Sequence, residues 1–263
     1  MRNWRSYDGV ADVYARVHAP RFAEPARDLV ALARIAPGER MLDLGTGTGV
    51  AAEAAVDAGA TAVGADASLE MLRRAAPVGR EIARVAAEAI DLPFRDHAFD
   101  VVVGNFVLAH FGRVETALHD TIRVTRPGGR VAFSTWSDGP DAFQQAWTEL
   151  VESVVPREVL TTATIDAAPG HDRYRERDAV EMTLYDAGLR HVRSESRKYR
   201  WSYSVDEYVE GLSSWAVGRF TRDMLGERSW ESFLGRARET FAARFADPIQ
   251  DFRDVILAVG TKE

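Results

Sequence analysis

The chain has no cysteine in its 263 residues. Disulfides, thiolate metal sites and a cysteine nucleophile are therefore excluded. Lysine is almost missing too: Lys198 and Lys262 stand alone among 33 basic side chains, and the rest are arginine. A basic excess is also absent, because the formal net charge is −7. Duplex-binding surfaces carry such an excess, so no nucleic-acid partner is expected. No apolar run approaches the roughly 18–20 residues of a membrane-spanning helix, so no membrane partner is expected either. No apolar stretch follows Arg2, Asn3, Trp4 and Arg5, which predicts no secretory leader and a cytoplasmic location.

What is present is the balance of an ordinary globular protein, with 46% hydrophobic and 28% charged residues. The length predicts one domain with an insertion over residues 1–263. Its core covers about 25–140 and 176–263, with N-terminal cap helices over 1–24 and a helical lid over about 204–248.

Val10, Val13, Tyr14 and Val17 share one face of a helix over 8–18, which Pro20 is expected to end. A second helix follows over 25–35, with Pro25 near its first turn. Short strands are predicted at 41–44, 61–65, 80–86, 99–103 and 130–136, separated by helices at 50–58, 69–76 and 113–125. This alternation implies an α/β fold, a doubly wound and mostly parallel sheet with helices on both faces. Further on, a helix is expected at 141–155, a mobile loop at 156–175 and a helix at 176–187 that stops at Gly188. A strand at 191–203, helices over 205–246 and a last buried strand at 251–261 complete the chain.

The main motif is Asp43-Leu44-Gly45-Thr46-Gly47-Thr48-Gly49, between a strand and a helix. Glycines there allow a tight turn and let a ligand approach the main chain. The dinucleotide fingerprint wants a glycine at its sixth position, where this chain has Val50, and Gly49 comes one residue early. Asp43, inside the strand, suits a ligand with a positive amine better than one with a pyrophosphate. Asp66 ends the next strand, 21 residues after Gly45. Its carboxylate can accept from both hydroxyls of a ribose, or it can cap the helix that begins near Ser68.

At these residues the chain resembles the small-molecule branch of the class I S-adenosylmethionine-dependent methyltransferases. The resemblance rests on Met41 to Gly49, on Val63 to Ser68 with Met71-Leu72, and on Glu88 to Phe94 with Phe99 to Val103. It also rests on Val124 to Arg130 and on the opening Tyr7-Asp8 with Tyr14-Ala15, so that it spans about residues 5–136. It implies a seven-stranded Rossmann-like sheet whose last strand is antiparallel, and S-adenosyl-L-methionine as cofactor. Gly45, Thr46, Gly47 and Gly49 would cradle the methionine moiety, with Asp43 near its ammonium and Asp66 on the ribose. Ala67 and Met71 would flank the adenine, and Glu88, Ala89 and Ile90 would meet its edge. Glu88 stands where the group usually has Asp. Asn105 would offer its backbone carbonyl to the ammonium, and Tyr14 would close over the cofactor.

Methyl transfer asks the protein to align a nucleophile and exclude water. A general base is needed only for a protonated nucleophile. His110, just past the fourth strand, is the candidate base; the bland alternative is a pocket-lining or helix-capping histidine. Tyr7, Phe106, Trp136, Tyr174 and Trp215 are the candidate acceptor contacts, in company with Trp201 and Phe220. No metal is expected, since Asn105 stands where a metal-assisted site would want an acid. The expected activity is methyl transfer to O, N or C of a small-molecule acceptor, in secondary metabolism, by a monomer or homodimer. The alternatives are an RNA or protein methyltransferase, a cofactor-binding protein that transfers no methyl group, and a nicotinamide-dependent oxidoreductase.

Overall fold

Neighbouring residues along the central strands point into different cores. Met41, Val101 and Val103 pack in one buried cluster, whereas Leu42, Leu44 and Val102 pack in another. A period of two with both phases apolar is the pattern of a sheet covered on both faces. The structure, a computed structural model, describes residues 6–75, 82–137, 139 and 141–263. Its sheet has seven strands: β1 (Arg40–Leu44), β2 (Thr61–Asp66), β3 (Ala83–Ala86), β4 (Phe99–Asn105), β5 (Thr125–Trp136), β6 (Leu189–Tyr203) and β7 (Ile249–Lys262). The order is β3-β2-β1-β4-β5-β7-β6. The first five strands pair in parallel, and β7 runs antiparallel to both β5 and β6. This is the doubly wound sheet with an antiparallel last strand that the sequence predicts.

Helices α2 (Ala19–Leu32) and α3 (Val50–Asp57) cover one face through Ala26, Leu29, Ala51 and Ala55. Helices α5 (Val114–Val124) and α8 (Arg177–Asp186) cover the other through Leu118, Val180 and Leu184. A third apolar cluster lies among α6 (Ala142–Glu152), α7 (Arg157–Ala167), α9 (Val205–Ser214) and α11 (Glu227–Arg244), with α10 (Ala216–Leu225) packed against it. A reciprocal box starts α9: Ser204 Oγ accepts from Glu207 N, and the Glu207 carboxylate accepts from Ser204 N. Edge strand β6 holds the arginines that the sequence clusters there. Arg197 pairs with Asp28 at 2.7 Å, and Arg193 donates to the Leu32 carbonyl at 2.9 Å. Charge on an edge strand blocks unwanted pairing.

Three expectations are corrected. Pro20 does not end a helix, and Pro25 lies inside α2 rather than in its first turn. The chain runs from α1 (Ala11–Val13) through a π turn (Tyr14–His18) into α2. In that turn the Ala19 N–H reaches back to the Tyr14 carbonyl, and the widened turn accommodates a proline with no N–H to donate. The stretch 156–175 is not a loop, because it contains α7 and a 3₁₀ turn, Arg173–Arg175. Thr161, Thr162 and Thr164 donate to carbonyls four residues back, which removes their competition with the helix. The expected start of β3 at 80–81, the end of a helix at 76 and the first five residues of the cap lie outside the described residues.

Candidate active site

The carboxyl ends of β1, β2 and β4 converge where the sheet order reverses, and the glycine loop sits at that point. Gly45, Gly47 and Gly49 all have positive φ, at +67°, +55° and +97°. Gly45 N and Thr46 N both donate to the Ala65 carbonyl, at 2.8 and 3.0 Å, and so tie the loop to β2. A Cβ on Gly45 would lie 2.4 Å from Val107 Cγ2, whereas Gly38, at φ +85°, has open space around it. Gly45→Ala and Gly38→Ala share the left-handed cost of roughly 1–2 kcal/mol, and only the former adds about 1–3 kcal/mol of overpacking. The expected result is a clearly larger loss for Gly45→Ala in denaturant titration. Equal losses would show that Val107 yields.

Asp43 is buried beneath this loop. Its Oδ2 accepts from Thr46 Oγ1 at 2.7 Å and from Ala52 N at 2.9 Å. Burial pushes its carboxyl up to about 7, against the opposing pull of those two bonds. The unfolded chain ionises at about pH 4, so it sheds the proton first as pH rises. Asp43 therefore makes stability decline from about pH 4 until the folded group ionises near 7. Asp43→Asn keeps an oxygen for Thr46 and Ala52. It is expected to be more stable than wild type at pH 8, by roughly 1–4 kcal/mol, with a smaller gap at pH 5. A gap that does not change with pH contradicts this reading.

Asp66 stands at the end of β2 with Oδ2 accepting from Gly47 N and Oδ1 from Ser68 N, both at 2.8 Å. Each carboxylate oxygen retains a further acceptor direction. Ser68 is itself the cap of α4 (Leu69–Arg74), its hydroxyl accepting from Met71 N, so the cap is Ser68 rather than Asp66. The Ser68 hydroxyl also donates to Asp8. That bond anchors the N-terminal segment across the site. Burial raises the Asp66 carboxyl above its usual range.

Two cavities share one wall. The first, of about 490 Å³, is lined by Tyr14, Gly45, Gly47, Asp66, Ala67, Met71, Glu88, Ala89, Ile90 and Asn105, among others. Asp43, Thr46 and Gly49 do not line it; Asp43 braces the loop from behind through Thr46 Oγ1. The second, of about 320 Å³, extends towards α6, α7, α9 and α10. Tyr7, Phe106, His110, Trp136 and Trp215 line both. Tyr174 lines neither. It is buried in the core against Gly170, which corrects its expected contact with an acceptor.

His110 follows β4 in a short 3₁₀ turn, Leu108–His110. Its Nδ1 lies 3.1 Å from the Ala167 carbonyl. A carbonyl only accepts, so Nδ1 carries the proton and Nε2 keeps a lone pair. The ring is open to the cavity yet enclosed by protein, and this desolvation lowers its pKa below the ordinary histidine value. Phe106 is held at φ +57° and packs on Trp136 at a tilt of 33°, with 4.3 Å between ring centres. Left-handed backbone in a bulky residue stores strain, here where the two cavities meet. Asn105 accepts from Ser134 Oγ, and Phe106 N donates to the same hydroxyl.

A family profile described as a methyltransferase domain matches residues 42–133. The matched stretch runs from β1 to β5 and takes in the glycine loop, α3 and β4. Across 125 residues this chain is 40% identical to the demethylmenaquinone methyltransferase of Mycobacterium bovis (strain BCG / Pasteur 1173P2), over 47% of this chain and 53% of that protein. The chain thus spans about half the length of the curated relatives it matches. The YcgJ protein of Bacillus subtilis has a similar fold, with TM-score 0.58 and 20% identity over 91% of this chain and 99% of that one. So does phosphoethanolamine N-methyltransferase 2 of Haemonchus contortus, solved with S-adenosylhomocysteine, with TM-score 0.58 and 15% identity over all of this chain and 60% of that one.

For this chain the sequence resemblance implies S-adenosyl-L-methionine as cofactor. The first cavity fits that group. Gly47 leaves a cradle that a Cβ would fill, 3.3 Å from Met71 Cε and 3.7 Å from Tyr14. Asp66 keeps acceptor capacity for two ribose hydroxyls, and Asp43 places a carboxyl behind the loop. No described helix is long and apolar enough to cross a membrane.

The sequence reading missed Arg21, which lines the second cavity beside His18. His18 and Arg21 follow Tyr14 at four and seven residues, the spacing of one helix face. Reading Pro20 as a stop hid that face. His18 Nε2 lies 2.7 Å from Ser214 Oγ, whose own proton goes to the Gly211 carbonyl, so Nε2 is the donor; burial pushes the His18 pKa down to about 3. Arg219 was missed as well. It reaches from α10 to lie 4.4 Å from the centre of the Tyr7 ring.

Proposed function

We propose that this protein transfers the methyl group of S-adenosyl-L-methionine to a hydroxyl on a flat small-molecule acceptor, with His110 as general base. The observation that carries this reading is the shared wall: His110, Phe106 and Trp136 face both the cofactor cavity and the second cavity. Asp66 would hold the ribose, Glu88 to Ile90 the adenine edge, and the loop from Gly45 to Gly49 the methionine end. Asp43 would supply negative charge behind the loop towards the ammonium.

When bound, the sulfonium supplies an electrophilic methyl group and a neutral leaving group. The chain's own work is alignment and proton transfer. Tyr7, held under Arg219, and Trp215 close the wall between cavities and keep water out. His110 Nε2 takes the acceptor's hydroxyl proton while Nδ1–H stays on the Ala167 carbonyl. The aromatic wall suits a flat ring, in keeping with a relative named for demethylmenaquinone.

The test is incubation with methyl-labelled S-adenosylmethionine and a panel of phenolic and quinol acceptors. Label in an acceptor, with equimolar S-adenosylhomocysteine, supports the reading. Tight cofactor binding without turnover on any acceptor would point to a cofactor-binding protein that transfers no methyl group.

A further inference from the structure

The second cavity carries a cationic group that methyl transfer does not use. Arg21 lies on its wall, and only 9% of its side chain is exposed. The guanidinium carbon sits 4.8 Å from the ring centre of Trp136 and 4.6 Å from that of Trp201. Cation–π contacts of this kind hold the charge without satisfying its N–H donors. Asp251, fully buried, lies 3.1 Å from Arg21 Nη2, but neither of its oxygens receives a well-aligned hydrogen bond among the described residues. Arg21 Nε is likewise buried without a hydrogen-bond partner among them. A buried guanidinium whose donors are not aimed at its counter-ion calls for another acceptor.

Arg175 and Arg253 line the same cavity, but both are paired: Arg175 with Asp172 at 3.3 Å, and Arg253 with Asp141 at 2.8 Å and Asp251 at 2.9 Å. Among the described residues Glu207 is the acidic residue on its wall. Glu207 is already engaged by the N–H and hydroxyl of Ser204 at 2.9 and 3.0 Å. The histidines that face this space, His18, His110 and His171, all have pKa values lowered by burial and stay neutral at pH 7. Guanidinium forks match carboxylates in geometry and charge. Trp136 touches Arg21 and also forms part of the wall shared with the cofactor cavity, and His110 lines the second cavity together with Arg21.

We infer that the acceptor is an aromatic acid: its carboxylate docks on Arg21 while its hydroxyl faces His110. This rests on the transferase reading above and narrows its substrate class.

The test is calorimetry of the S-adenosylhomocysteine-loaded protein with 6-hydroxy-2-naphthoate and with its methyl ester, a pair that differs in the charge. Wild type is expected to bind the acid at least about tenfold more tightly than the ester. Arg21→Met is expected to abolish that preference, and Arg21→Lys to keep part of it. The wild-type comparison needs no variant, so a poorly folding Arg21→Met leaves the claim testable. An ester bound as tightly as the acid overturns the inference. So does an acid that shows no heat at millimolar concentration, or a preference that survives in Arg21→Met. Loading with S-adenosylhomocysteine is measured separately. Failure there strikes the transferase reading, while the acid and ester comparison on the cofactor-free protein still decides the role of Arg21.

Discussion

Asp66→Ala is expected to weaken S-adenosylhomocysteine binding by roughly 100-fold or more, the loss of about two charge-assisted hydrogen bonds at ~1.5–3 kcal/mol each. The carboxylate has two tasks. It holds Gly47 N and Ser68 N, and it faces the cavity with acceptor directions to spare. Alanine removes both tasks, so Asp66→Asn is the needed companion. Its amide oxygen can still accept from one backbone N–H, but it has one acceptor atom where the carboxylate has two. An intermediate affinity for Asn, with a melting temperature near that of wild type, assigns the loss to the ligand. Full affinity in both variants would reduce Asp66 to a loop brace.

His110→Ala is expected to lower kcat by roughly 10²–10⁴-fold, the usual contribution of a positioned general base, with little change in KM. The pH profile separates catalysis from wall packing. Enclosure lowers the His110 pKa, so Nε2 is free at neutrality. The wild-type rate on a hydroxyl acceptor should climb with pH on an acid limb below the ordinary histidine value, about 6.5, and then level off. His110→Ala should lose that limb and regain rate only as the acceptor itself ionises. A variant within about threefold of wild type at pH 7 would leave His110 as a wall residue.

The glycine loop, the paired acids and the parallel strands were legible because each is specified locally. Gly45 and Gly47 need positive φ, and the apolar runs at 41–44 and 99–103 admit burial on both faces. Ten of the expected cofactor contacts, from Tyr14 to Asn105, line one cavity for the same reason. The acceptor side was less legible. Pro20 reads as a stop, yet the π turn at Tyr14–His18 carries the helix past it and brings His18 and Arg21 to the second cavity. Tyr174 and Trp215 look alike in sequence. Packing against Gly170 buries the first, whereas the second opens on both cavities. Helix α7 escaped notice because Thr161, Thr162 and Thr164 are weak helix formers, yet their hydroxyls bond within the helix.

The most direct test of the central claim is calorimetry of the wild-type protein with S-adenosylmethionine and S-adenosylhomocysteine. The account predicts saturable one-to-one binding with micromolar dissociation constants, about −8 kcal/mol, for both compounds. A folded protein that shows no heat with either, yet binds NADH, would contradict it.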